Sequence, residues 1–394
     1  MGATGFGRNG KWRASVAFLV VVALVAVAGV QRTSHAATCA TDPYVSAERS
    51  RLSVFTNWLS SNGVLGYLGE VGWPNEPDSE VTEWNCLGDY IYQDADAAGL
   101  WVTYWSTGEF NPGELSAYTP VVERTPVLRA APQAPTIEAH PTAPMYRRGI
   151  NFADGKVGSC YNPNEPTCSK FSNMRPGVLG VNYGYGSAAS YAFLSTRGIK
   201  LIRLPFRWER VQPTLCMALD NVALGALKAS LATIGQLGLK AILSAHNGGG
   251  YYIGTGLTPS DPGISHSIGS SEVPLSAFVN FWKRMSTQFK SNSAVLAYDL
   301  MNEPALLSPA QWEQYSQAAL TAIRNNGDNK LIMVAGSAYS AAGNWTSNDP
   351  SPWISDPSSN FRYEAHQYFD DGSAQYLLSY AGECALRNGG APCP

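Results

Sequence analysis

The chain has 394 residues, of which 45% are hydrophobic and 11% aromatic, and a formal net charge of −3. That size and composition imply a globular protein with a large core, as one large domain or two ordinary ones. No basic run lies beyond the N-terminal segment, which argues against nucleic acid as a partner.

Arg8, Lys11 and Arg13 precede an uncharged apolar stretch over 14–30, and Ser34-His35-Ala36 puts small residues at the −3 and −1 positions of a cleavage site. Residues 1–36 are therefore expected to be a signal peptide and the mature chain to be secreted. The stretch is long for a signal, so an uncleaved membrane anchor is the alternative. Removing these residues leaves 23 basic against 30 acidic side chains, a net −7. Seven cysteines in an exported chain suggest disulfides. Cys160 and Cys168 flank a Pro/Asn-rich loop and are the first expected pair. Cys39, Cys384 and Cys393 lie near the two ends. The odd count leaves a thiol free, with Cys86 and Cys216 as candidates. Neither Cys-x-x-Cys nor His-x-His spacing occurs, so no metal site and no cofactor are expected.

Apolar spacing predicts a helix over 45–62, a buried strand over 64–71, a helix over 80–98 and a strand over 100–105. Residues 107–147 hold seven prolines and read as a connector, with a short helix near 136–140. Beyond it come strands at 149–152, 200–206, 239–245, 295–301, 331–335 and 362–369. Helices at 187–197, 221–237, 275–289 and 309–325 lie between them, and a helical tail at 373–387 follows. Two strands before the connector and six after it make eight. Strands alternating with helices in that number predict one α/β domain, a (β/α)8 TIM barrel over 37–394. A six-stranded piece alone would leave two raw edges; a six-stranded doubly wound domain with a small N-terminal domain is the alternative.

Polar residues gather where the strands finish: Glu70, Trp105, Arg203, His246, Asn302, Glu303, His366 and Tyr368. Each has a plain structural explanation alone, such as an ion pair of Arg203 with Glu209 or a hydrogen-bonded core histidine. Together, at the same end of successive strands, they predict a shared cleft.

Six stretches carry a resemblance: Ile202-Arg203-Leu204-Pro205-Phe206 with Trp208-Glu209, Ala245-His246-Asn247, Asn302-Glu303-Pro304, His366-Gln367-Tyr368, Leu68-Gly69-Glu70-Val71-Gly72 and Val102-Thr103-Tyr104-Trp105. The set resembles glycoside hydrolase family 5, the cellulase-type barrels of clan A. In that family the strands bearing the last two stretches are the seventh and eighth; here they come first. The resemblance therefore implies a circular permutation with strand order 7-8-1-2-3-4-5-6, in which 45–106 supply strands 7 and 8, 107–147 the connector and 148–394 strands 1 to 6. A disulfide from Cys39 to Cys384 or Cys393 would staple the seam.

The resemblance further implies a retaining hydrolase acting on β-1,4-glucan polysaccharide or oligosaccharide, as a monomer. Glu70 would be the nucleophile, kept ionised by Arg203 and Tyr368, and Glu303 the acid/base. Asn302 would take the sugar 2-OH, His246 and His366 would orient substrate and acid/base, and Trp105 would floor the −1 sugar site. Trp73, Trp208, Tyr251, Trp345 and Trp353 are candidates either for outer stacking sites or for core packing. The alternatives are a β-mannanase or other β-glucanase, a non-catalytic carbohydrate-binding barrel and a metal-dependent hydrolase.

Overall fold

The structure is a computed structural model that describes residues 39–391 apart from 76–78, 111–112, 114, 123, 158–170, 255–262, 371–375 and 388. Residues 1–36, expected to be a signal peptide, and Cys160, Cys168 and Cys393 lie outside the described residues. The strands in chain order are β1 (Gly66–Gly72), β2 (Trp101–Thr107), a hairpin of β3 (Tyr118–Pro120) and β4 (Leu128–Ala130), β5 (Arg148–Phe152), β6 (Leu201–Phe206) and β7 (Lys240–Ala245). A second hairpin of β8 (Gly250–Ile253) and β9 (Ile264–Ser267) follows, then β10 (Val295–Asp299), β11 (Leu331–Ala335) and β12 (Phe361–Tyr368).

Eight of these strands close a parallel barrel. β1 pairs with β2 on one side and with β12 on the other, and β5, β6, β7, β10 and β11 complete the ring. The fold class expected from strand counting is therefore found. The barrel bottom is filled by Tyr67, Leu201, Ile242, Ala297 and Met333, all fully buried and apolar toward one another. Above this layer the interior turns polar, with Arg203, Asn151, Asp299 and Glu364 at 0% exposure.

Helices wrap the outside, and their ends follow local chemistry. α1 (Pro43–Asn62) begins where the Asp42 side chain accepts a bond from Tyr44 N, with proline at the first helical position. It ends at Gly63, whose φ of 64° is the left-handed region open to glycine. α1 packs on the seam between β1 and β12. Gln367 Nε2 donates to the Glu48 carbonyl at 2.9 Å, Trp58 Nε1 donates to the Pro350 carbonyl at 3.0 Å, and Tyr44 donates to the Phe369 carbonyl. The C-terminal helix Tyr380–Arg387 joins the same seam, Tyr380 donating to Asp42 at 2.6 Å. This helix starts later than the sequence pattern suggests, because Ser379 Oγ accepts from Gly382 N and caps it there.

Two cysteine expectations are corrected. Cys39 is joined to Cys86, on α2 (Val81–Ala97), rather than to Cys384 or Cys393, and Cys86 is not free. The bond is possible because α1 and α2 are adjacent on the barrel wall, which spacing in the sequence does not disclose. Cys384 is also disulfide-bonded, and Cys216 is free and exposed.

The proline-rich stretch is part of the body rather than a loose linker. β3 adds to β2 at Thr107, and α3 (Ala134–Glu138) is bound at its end by His140, which lies 2.7 Å from Asp96 and 2.9 Å from Asp89. Asp154, just beyond β5, accepts from the backbone N–H of Glu109 and of Phe110.

Gly69 and Gly72 on β1 are required by close approach. A Cβ on Gly69 would overlap the Glu364 carboxylate, and one on Gly72 would overlap the Trp105 carbonyl. Gly69→Ala is predicted to destabilise the protein by about 1–3 kcal/mol through overpacking; calorimetry checks this, and an unchanged unfolding temperature would contradict it.

Candidate active site

The eight residues singled out in the sequence meet at one end of the barrel. Glu70 lies near the end of β1 at 3% exposure, in register with His366 of β12. Its Oε1 accepts from Arg203 Nη1 at 2.7 Å and its Oε2 from the Tyr368 hydroxyl at 2.7 Å. Nε2 of His246 and Nδ1 of His366 stand 3.8 Å away. Glu303 follows β10 and is partly open to solvent, its side chain 29% exposed. It has a φ of 45°, a strained conformation for a non-glycine residue. The backbone imposes it: Asn302 N donates to the Ala245 carbonyl at 2.8 Å, and Gly248 N donates to the Asn302 carbonyl at 3.1 Å.

Glu303 Oε1 lies 2.9 Å from His366 Nδ1. One carboxylate oxygen of Glu70, one of Glu303 and a His366 nitrogen all lie within 4.8 Å of one another. A cation would use those same atoms, but both His366 nitrogens are already engaged, the second with Glu364 at 3.2 Å. That leaves no imidazole lone pair for a metal.

Arg203 organises the floor. Besides Glu70 it donates to Asn151 Oδ1 at 2.8 Å, to Asp299 Oδ2 at 2.6 Å and to Asn302 Oδ1 at 2.8 Å, and it lies 3.0 Å from Glu364. With Oδ1 of Asn302 engaged, its Nδ2 is the atom left to donate to a ligand. The expected alternative pairing of Arg203 with Glu209 does not occur. Glu209 is held instead by Asn247 Nδ2 at 2.8 Å and Tyr252 N at 2.6 Å.

The electrostatics separate the groups. Burial alone would raise the Glu70 pKa, but the charges of His366, Arg203 and Lys156 and the Tyr368 hydrogen bond outweigh it and hold the carboxyl below its ordinary value. Burial opposes a charge on His366 too, yet Glu70, Glu303 and Glu364 lift it to about 10. His246, nearby, is driven well below 6.5 by burial and by the cations Lys156, Arg203, Arg207 and His366. Burial, with Glu364 beside it, raises Asp299 to about 7 against the pull of Arg203.

Trp105 stands at the end of β2, with His246 5.5 Å away ring to ring. The peptide between Trp105 and Ser106 is cis. The five aromatic residues that could have been outer platforms are packing groups. Trp73, Trp208, Tyr251 and Trp345 are at most 1% exposed, and Trp353 packs on Trp345 and Tyr363. They fill the space between barrel wall and helices, as in Trp73 stacked on Phe369 and Trp208 edge-on to Tyr251.

Asn151, Asp299, Glu364 and Lys156 belong to the site and were not picked out from the sequence. Glu364, His366 and Tyr368 alternate along β12 and so share a face, a signal that was available. Asn151 sits opposite Arg203 in the β5–β6 register. Lys156 is a lone lysine in a turn and carries no pattern.

Residues 163–381 match Cellulase (glycosyl hydrolase family 5). The match covers more than half of the chain, and the protein belongs to this family. A probable endo-beta-1,4-glucanase B of Aspergillus oryzae is 32% identical over 53% of this chain and 59% of its own length. Endo-beta-1,4-glucanase B of Emericella nidulans is 30% identical over 51% of this chain and 57% of its own. The chain thus spans somewhat under three-fifths of these curated relatives. The solved structure of Pseudomonas stutzeri endoglucanase Cel5A in complex with cellobiose is 34% identical, covers 58% of this chain and 62% of its own, and superposes with a TM-score of 0.49. The family match begins after β5 and leaves Glu70 outside it.

The two histidines are predicted to titrate far apart. Imidazole nitrogen shifts should show His366 still cationic at about pH 8 and His246 neutral at about pH 6; the reverse would contradict the geometry. Because the His366 value is raised from 6.5 to about 10, its contribution to stability is full below 6.5 and is lost as pH rises through about 10.

Proposed function

We propose that the protein is a secreted, retaining endo-β-1,4-glucanase that works by double displacement, with Glu70 as nucleophile and Glu303 as acid/base. The observation that carries this reading is the close approach of the Glu70 and Glu303 carboxylates, within 4.8 Å at their nearest oxygens, in a shared cleft. Retaining enzymes place their carboxyl groups about 5–5.5 Å apart, whereas inverting ones need roughly 6.5–9.5 Å to admit a water. Family membership and the names of the relatives support the substrate class.

In this reading the two carboxylates differ because their surroundings do. Glu70 is buried among cations and donors that stabilise its negative charge, so it attacks the anomeric carbon as a carboxylate. Glu303 faces solvent and delivers a proton to the departing glycosidic oxygen. Once the ester forms, Glu70 no longer carries charge, and Glu303 then takes a proton from the incoming water. His366 bridges the two, holding Glu303 in place at 2.9 Å while its charge favours ionised Glu70. Asn302 Nδ2 donates to the 2-OH of the sugar seated on Trp105.

We also propose that the barrel is a permuted form of the family fold. The support is positional. The first two strands, β1 and β2, stand between β12 and β5, so Glu70 comes first in sequence yet lies three strands round the ring from β10. The family match covers only the later part of the chain.

Glu70→Ala is predicted to abolish hydrolysis of β-1,4-glucan, and Glu303→Ala to lower kcat by about 10²–10⁴-fold, with circular dichroism unchanged in both. Full activity in either variant sinks the assignment. Product sugars should keep their anomeric configuration when followed by NMR. A chain re-ordered to start at residue 141, with 391 joined to 39 by a short linker and ending at 140, keeps the whole proline-rich stretch and is predicted to fold and stay active; an unfolded product would count against the permutation.

A further inference from the structure

Lys156 lies in the turn after β5, its Nζ 4.1 Å from the centre of the Trp105 ring. Burial, with Arg207 and Arg203, lowers its pKa, and the carboxylates Glu70 and Glu303 act against that and favour its charge. It has no side-chain hydrogen bond and no ion pair among the described residues. Arg207, which precedes the short helix Trp208–Val211, is a second cation beside it, only partly bonded. Its Nη1 donates to the His246 carbonyl at 2.7 Å, and its guanidinium lies over Phe171 at 5.0 Å and Tyr252 at 5.5 Å. Its Nε is buried without a hydrogen-bond partner, and although its charge acts on Glu209 the two form no ion pair among the described residues.

The charges of Lys156 and Arg207 oppose each other, and an anion near both would relieve that repulsion, adding to what Glu70 and Glu303 already do for Lys156. An ammonium resting on a ring gains about 0.5–2 kcal/mol from the π face, yet its three N–H groups have no acceptor among the described residues. A sugar on Trp105 would bring oxygens to them, and a carboxylate oxygen makes the stronger, charge-assisted bond. The chain as a whole is negative at −3, so an anionic polymer has no general reason to approach it. A preference for anionic glycan would have to be local to these two residues.

We propose that Lys156 is a specificity-determining residue that, with Arg207 behind it, makes the cleft select β-glucans bearing a carboxylate on or next to the sugar at Trp105. This rests on the reading of the site as a β-glucanase cleft.

The experiment compares carboxymethylcellulose with hydroxyethylcellulose as substrates for the wild type and for Lys156→Met, Lys156→Arg and Lys156→Glu. The ratio of kcat/KM on the charged to the neutral polymer should fall about fivefold or more in Lys156→Met, from the loss of one close charge. It should fall further in Lys156→Glu and return in Lys156→Arg. In the wild type it should also shrink between about 0.02 and 0.5 M salt. An unchanged ratio in Lys156→Met overturns the proposal. An equal fall on both polymers, with the acid limb of the pH profile moved upward, also overturns it and assigns Lys156 to the charge of Glu70 alone. If the wild type cleaves neither polymer, the β-glucanase reading has failed separately. The same proteins are then compared by retardation in gels containing each polymer: retardation by the carboxymethyl polymer that Lys156→Met loses supports the selectivity, and equal retardation refutes it.

Discussion

The guanidinium of Arg203 is fully buried and binds side chains from four other strands or their ends: Glu70 on β1, Asn151 on β5, Asp299 and Asn302 at β10, and Glu364 on β12. A buried ion pair is weak evidence for stability, since desolvation offsets most of the attraction, but removal of one partner leaves costly charges unpaired. Arg203 therefore matters less as a source of stability than as a fixed centre that sets where its partners point. Through it the orientation of Glu70, the amide of Asn302 and the strand spacing across the barrel become one geometric fact. Gly69 belongs to the same constraint, because the Glu364 carboxylate takes the space a side chain there would need.

Around this centre, charge is arranged in layers. His366 is held between Glu70, Glu303 and Glu364, and it keeps a positive charge next to the carboxylate that most needs one. His246, 3.8 Å from Glu70 but facing several cations, is kept neutral. Two residues of the same type thus differ in charge by their neighbours alone. Tyr368, pushed well above its usual range by burial and by Glu70, keeps its proton and so remains a donor to that carboxylate.

Much of this was legible from the chain. Strands ending in Glu70, Trp105, Arg203, His246, Glu303 and Tyr368 could be read because buried parallel strands are continuous apolar runs, and a polar residue at their end stands out. The barrel followed from counting strands and from the problem of unpaired edges. What could not be read depended on three-dimensional proximity. Cys39 meets Cys86 only because α1 and α2 pack side by side, and the proline-rich stretch looks like a linker until Asp154 and His140 are seen to bind it. Trp73 and Trp208 could as well have been platforms, since an aromatic residue near a strand end carries no mark of which way it faces. Lys156 had no pattern at all; only the structure shows its ammonium over the Trp105 ring, facing the charges of Glu70 and Glu303.

Glu70 and Glu303, far apart in sequence, would act as one pair because the closed barrel turns the ends of β1 and β10 toward each other, with His366 of β12 between them. Incubation with a 2-deoxy-2-fluoro β-cellobioside carrying a good leaving group, followed by peptide mass mapping, tests this pairing most directly. The account predicts a glycosyl adduct on the peptide that contains Glu70, formed more slowly in Glu303→Ala. An adduct on Glu303, or turnover without any adduct and with inverted product, would contradict it.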